Sequence, residues 1–234
     1  MTLKEEMLRD YVNEHGLGLI DSAHKRNDNG ILFIAYWYAL AELAGLNDES
    51  DCQRFISSVK QLEKSRGLYT RIPGDTRPEA HDNYVGIVFG SLLFNTLHRY
   101  DIYQYGTTTG FCYNVTAPGV YDLKYVRQGG DVALYSISCG IPPQIVDYLW
   151  MLFGMLIGFL KGSPSVRNLC WLRTQILDLV FRKYQLPRGY ALSYAVFSVL
   201  FSIIFAIRGG LRNSFKNYFP SANPLVKLAE ELRL

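Results

Sequence analysis

Apolar positions along this chain fall into two kinds of run, one striped and one apolar on every side. Leu3, Met7, Leu8, Tyr11 and Val12 follow helical spacing and predict an amphipathic first helix ending near Gly16. Polar residues fill 21–29, and then 30–44 is apolar all round up to Gly45, the pattern of a buried helix. A striped helix follows, with Phe55, Ile56, Val59 and Leu62 on one face, Asn47, Asp48 and Ser50 as N-cap candidates and a stop at Gly67. Pro73, Gly74 and Pro78 make 68–80 a loop, and 82–97 is a second helix apolar all round. The stretch 100–130 is rich in Gly, Tyr and Thr and reads as a long loop, with a short hairpin as the variant. Beyond it, a short helix or strand reaches Cys139 and Gly140-Ile141-Pro142-Pro143 breaks it. Helices are then expected over 143–160, 165–184, 189–207 and 224–232, with Pro164 and Pro187 at their junctions.

The two all-round apolar helices open alike. Asn27-Asp28-Asn29 precedes the first, His81-Asp82-Asn83 begins the second, and the Asp-Asn pairs lie 54 positions apart with a striped helix between them. Gly130-Asp131-Val132-Ala133 and Arg188-Gly189-Tyr190-Ala191 are looser echoes. A period near 50, alternating buried and striped helices, is what stacked αα-hairpins give. The expected fold is therefore all-α. It is one domain over 1–234, an αα-hairpin array or partial (α/α) toroid with apolar inner helices and a long Gly/Tyr-rich loop near 100–130.

Composition sharpens this picture. Hydrophobic residues make up 49% and charged residues 19% of the chain, below the ~25% charged of an ordinary soluble domain, so the buried fraction is large or a membrane or partner covers part of the surface. The 17 tyrosines and 13 phenylalanines suit half-wet surfaces such as sugar clefts and interfaces, and equally the rim of a core. A net charge of +3 is too small to argue for nucleic acid; Arg208, Arg212 and Lys216 at helical spacing read as a solvated face. Cys52, Cys112, Cys139 and Cys170 form no C-x-x-C and have no His at ligand spacing, so neither a zinc site nor a cofactor is implied and free thiols are expected. The first residues carry charge and no apolar signal core, which points to the cytoplasm. Spanning a bilayer takes ~20 apolar residues. Only 190–207 approaches that, which keeps a membrane-associated protein anchored there among the readings.

If the inner helices start on one face of the array, they collect Asn27, Asp28, Asn29, Arg77, Glu79, His81, Asp82, Asn83 and Tyr84 around a cleft overhung by 67–75. Asp or Asn at inner-helix starts and a Tyr/Arg-rich overhanging loop, over 26–44 and 69–97, resemble the (α/α)-toroid carbohydrate-active enzymes, that is, glycoside hydrolases and polysaccharide lyases. The resemblance implies an oligo- or polysaccharide substrate. Glycoside cleavage needs two carboxyls about 5 to 9.5 Å apart, one an acid and one a base or nucleophile. Asp28 and Asp82 are the candidate pair and Glu79 the substitute. A lyase instead needs a base, His81 or Tyr84, with Asn83 or Arg71 neutralising a uronate carboxylate. Arg77 joins the substrate-binding set, and Tyr36, Trp37 or Tyr69 supplies a ring for stacking. The competing reading of Asp28 and Asp82 is helix capping, and Asn27, Asp28 and Asn29 are also dense in oxygen ligands suited to calcium. A different function class, a non-catalytic assembly or protein-binding protein acting through a protein partner or as a homo-oligomer, fits the aromatic surface equally well.

Overall fold

In the computed structural model, residues 1–23, 29–75, 81–117, 121–127, 134–136, 138–141, 144–147, 149 and 219–232 are described. The fold is mostly helical. Helix α1 (Leu3–Asp10) starts on a capping box in which the Thr2 hydroxyl accepts from the Glu5 N–H and the Glu5 carboxylate accepts from the Thr2 N–H. Helix α2 (Gly30–Leu43) is buried from Gly30 through Ala41. Such burial on every side requires neighbours all round, as its uninterrupted apolar sequence predicts. After 44–48 comes α3 (Glu49–Leu62), capped by Asp48, whose carboxylate accepts from the Ser50 N–H at 2.8 Å. Phe55, Val59 and Leu62 turn inward and the polar face stays wet.

A two-stranded turn, β1 (Glu63–Ser65) with β2 (Leu68–Tyr69), leads into the loop before α4 (His81–Leu93). Helix α5 (His98–Thr109) and an antiparallel hairpin, β3 (Cys112–Ala117) with β4 (Tyr121–Arg127), occupy most of the stretch expected to be a long loop. The hairpin is the variant the sequence offered; α5 is not legible there, because HRYDIYQYGTTT buries only Arg99, Ile102 and Gly106 and shows no sustained stripe. Gly110 ends α5 in the left-handed conformation, φ 63°, which a side chain would strain. Helix α6 (Pro224–Glu231) is the last element. The helices expected over 165–184 and 189–207, and most of 143–160, lie outside the described residues. So does the 190–207 span. Among the described residues no helix is long and apolar enough to cross a membrane.

Helices α2 and α4 run parallel in direct contact. A Cβ on Gly86 would lie 2.6 Å from Leu32 Cα and 2.7 Å from Leu32 N, so the missing side chain lets the two backbones touch. Further along, Tyr36 packs on Phe89 with centroids 6.2 Å apart and Tyr38 meets Phe94 edge-on at 5.3 Å. Partners therefore advance together up both helices, and the pair Leu32–Gly86 has the same 54-residue offset as the two Asp-Asn pairs. Phe55 of α3 closes the outer side, edge-on to Tyr38 at 6.5 Å and against Gly90.

Candidate functional site

The parallel register brings the N-terminal ends of α2 and α4 to the same end of the helix pair. Asn29 occupies the N-cap position of α2 and makes no capping hydrogen bond with its side chain. Asp82 is the second residue of α4, inside the first turn, where a carboxylate is favoured by the positive end of the helix dipole. Its side chain is half-buried. The N-cap of α2 is thus Asn29, and Asp82 lies within α4. Asp28, Arg77 and Glu79 lie outside the described residues, as does the side chain of His81.

The remaining candidates have definite places, and several differ from the roles expected of them. Trp37 has no solvent-accessible surface and sits in the second turn of α2 within the core. Sugar stacking needs an open ring face, so in this conformation Trp37 is a packing residue, and the equally buried Tyr36 is another. Tyr69 and Tyr84 are also fully buried, packed edge-on at 5.9 Å. The Tyr84 hydroxyl accepts a hydrogen bond from the Tyr69 N–H at 3.2 Å. This bond pins the end of β2 to α4. The Tyr69 hydroxyl pairs with His98 Nδ1 at 3.3 Å, and burial pushes the Tyr69 phenol well above its ordinary value, with Glu63 and Asp101 adding to the shift. His98, at the start of α5, is lowered by burial against the opposing fields of Glu63 and Asp101.

Asn83 is buried completely, and its Nδ2 donates to the carbonyls of Thr70 at 3.2 Å and Arg71 at 2.9 Å. The amide staples the overhanging loop to the first turn of α4. Thr70 completes the staple, its N–H and hydroxyl both donating to the Leu62 carbonyl. Arg71, half-buried, is carried on this fixed backbone beside the α4 start. Sequence reasoning missed Thr70 and His98, the partners that make Asn83 and Tyr69 structural, because neither stands in a pattern that singles it out.

Around this end, the described residues include no group of three His, Cys, Asp or Glu side chains able to hold a metal ion. Cys52 and Cys139 are free thiols, half-buried. A separate feature is an apolar surface at 145–149, where Ile145 is 79% and Leu149 59% exposed with Val146 between them, while Asp147 is buried. No family model, no curated protein and no solved structure matches the chain.

Proposed function

We propose that the chain is an αα-hairpin protein of partial-toroid type that acts on carbohydrate at the end of the array where α2 and α4 begin. The observation that carries this reading is the parallel register of those helices. Their 54-residue offset matches the spacing of Asp28 and Asp82, so the helix starts that follow and contain the two carboxylates lie side by side. Packing of α6 against α1 and α2, which brings the last described element back to the first, also favours a ring over an open stack. With Trp37, Tyr69, Asn83 and Tyr84 committed to the core and the loop staple, the chemistry falls to Asp28 and Asp82, with Arg71 as the group that orients an anionic sugar.

A second reading, a non-catalytic assembly or protein-binding role, is favoured by the exposed Ile145, Val146 and Leu149, since contiguous apolar side chains on a surface mark contact sites. One experiment separates the two. Purified protein is incubated with neutral and uronate-bearing polysaccharides, reading reducing ends for hydrolysis and ultraviolet absorbance of unsaturated products for a lyase. Light scattering follows mass against concentration. Turnover that is lost in Asp82→Asn at an unchanged melting temperature supports the carbohydrate reading. Absence of turnover on every glycan, with mass rising with concentration, overturns it in favour of assembly.

A further inference from the structure

We infer that residues 219–232 form a clasp that pins the neck of the loop leading into α2, so that clasp and neck open and close as one unit. Three contacts join these distant parts of the chain. The fully buried Asn223 donates from Nδ2 to the carbonyls of Ile20 at 2.8 Å and Leu19 at 3.3 Å, while its Oδ1 accepts from the Leu225 N–H at 2.9 Å and caps α6. Phe219 packs edge-on against Phe33 of α2 with centroids 5.0 Å apart. Lys227 pairs with Glu6 of α1 at 2.5 Å.

The neck itself is built from backbone hydrogen bonds. The Gly18 N–H donates to the Gly30 carbonyl at 2.9 Å, and the Leu19 N–H to the Tyr11 carbonyl at 2.8 Å. Between them they tie both sides of 19–29 to α1 and α2. Among the described residues, the carbonyls of Leu19 and Ile20 take their donor from Asn223. Leu19 is buried and Ile20 half-buried, and a polar group taken from water without a partner is costly, so docking of Asn223 stabilises the shape of the neck.

The dependence runs in both directions. Helix α6 has 8 residues, too few to persist in water without tertiary contacts. Its Leu225, Val226, Leu228 and Ala229 are buried against the rest of the fold. Undocked, it loses both that burial and the N-cap geometry that Asn223 holds. Each half thus gains stability from the other, which is the condition for a cooperative local opening. Undocking of 219–232 is thereby transmitted to the neck and, through the Gly18–Gly30 bond, to the start of α2.

Native-state hydrogen exchange on the intact chain tests it. The reporting amides are Gly18 and Leu19 in the neck and Leu232, which bonds the Leu228 carbonyl at 3.0 Å, in the clasp. In the wild type these three should follow one opening equilibrium as urea is raised. In Asn223→Ala their exchange should accelerate together, by roughly tenfold or more, with α3 amides unchanged. Should that variant not fold, Lys227→Met, which removes only the pair with Glu6, should give the same joint acceleration at smaller size. Neck amides that keep their protection while Leu232 loses its own, in either variant or in the wild type under urea, overturn the proposal.

Discussion

Replacing Gly86 by alanine sets two effects of opposite sign against each other. In a helix interior, Gly→Ala is ordinarily favourable by about 1 kcal/mol, because alanine loses less backbone entropy on folding. At Gly86 the added Cβ would meet Leu32 Cα at 2.6 Å, Leu32 N at 2.7 Å and the Ile31 carbonyl carbon at 2.9 Å. All three are backbone atoms of α2, so no rotamer change relieves the clash. Ordinary carbon contacts lie at about 3.5–4.0 Å, so α2 and α4 must separate by roughly 1 Å. A radial gap of that size forfeits between a quarter and a half of each dispersion contact across the interface, including Tyr36–Phe89 and Tyr38–Phe94. Overpacking of this kind costs typically ~1–3 kcal/mol and more where backbone must move. With contact to unyielding backbone placing the cost at ~2–3 kcal/mol against the ~1 kcal/mol gain, the steric term wins and Gly86→Ala should destabilise by a net ~1–2 kcal/mol. At about 2–4 °C per kcal/mol for a chain of this size, the melting temperature should fall by roughly 2–8 °C. Urea unfolding should show a lower midpoint at unchanged slope. A Gly86→Ala protein as stable as the wild type, or more so, refutes the close parallel contact of α2 and α4 and the register argument resting on it.

Two further outcomes follow from the described contacts. Asn83→Ala removes both donors to the Thr70 and Arg71 carbonyls and should cost about 1–3 kcal/mol, with new proteolytic cleavage within 68–75; an unchanged melting temperature and cleavage pattern count against the staple. The acid limb of stability should depend on Lys4, which bonds Asp48 at 2.7 Å and the buried Asp51 at 2.6 Å. Hydrogen bonding from Lys4, then from Ser50, holds the Asp48 carboxyl well below the usual carboxylate range, so its contribution is fully present above an unfolded value of about 3.9 and is lost as pH falls through the lower folded value. The Lys4 ammonium is raised, since its bonds to Asp48 and Asp51 outweigh the opposing effect of burial, so its contribution persists below about 10.4 and is lost only as pH rises through the folded value. The difference in urea midpoint between wild type and Lys4→Met should thus be flat from about pH 5 to 8 and shrink below about pH 4. A difference that holds constant into acid argues against the network.

Much of the architecture was legible from residue order alone. The all-round apolar runs marked α2 and α4 as buried helices because a helix without a polar stripe has no face to give to water. Phe55, Val59 and Leu62 marked α3, Asp48 its start, and Pro224 the first residue of α6. The 54-residue spacing of the Asp-Asn pairs equals the offset of the Leu32–Gly86 contact. Helix α5 was not legible, because its residues have modest helix propensity and the segment is held by tertiary contacts such as Arg99 reaching the Ser91 and Thr96 carbonyls. The roles at the start of α4 were not legible either. An Asn or Tyr ahead of an apolar run reads identically as a cap, a ligand-binding group or an internal staple. What distinguishes them is the partner, and the partners of Asn83, Tyr69 and Asn223 are Arg71, His98 and Ile20. Periodicity is a property of the chain and can be read along it. Hydrogen-bond partnership across the fold is a property of the folded chain, decided only when distant backbone carbonyls are brought within reach of a donor.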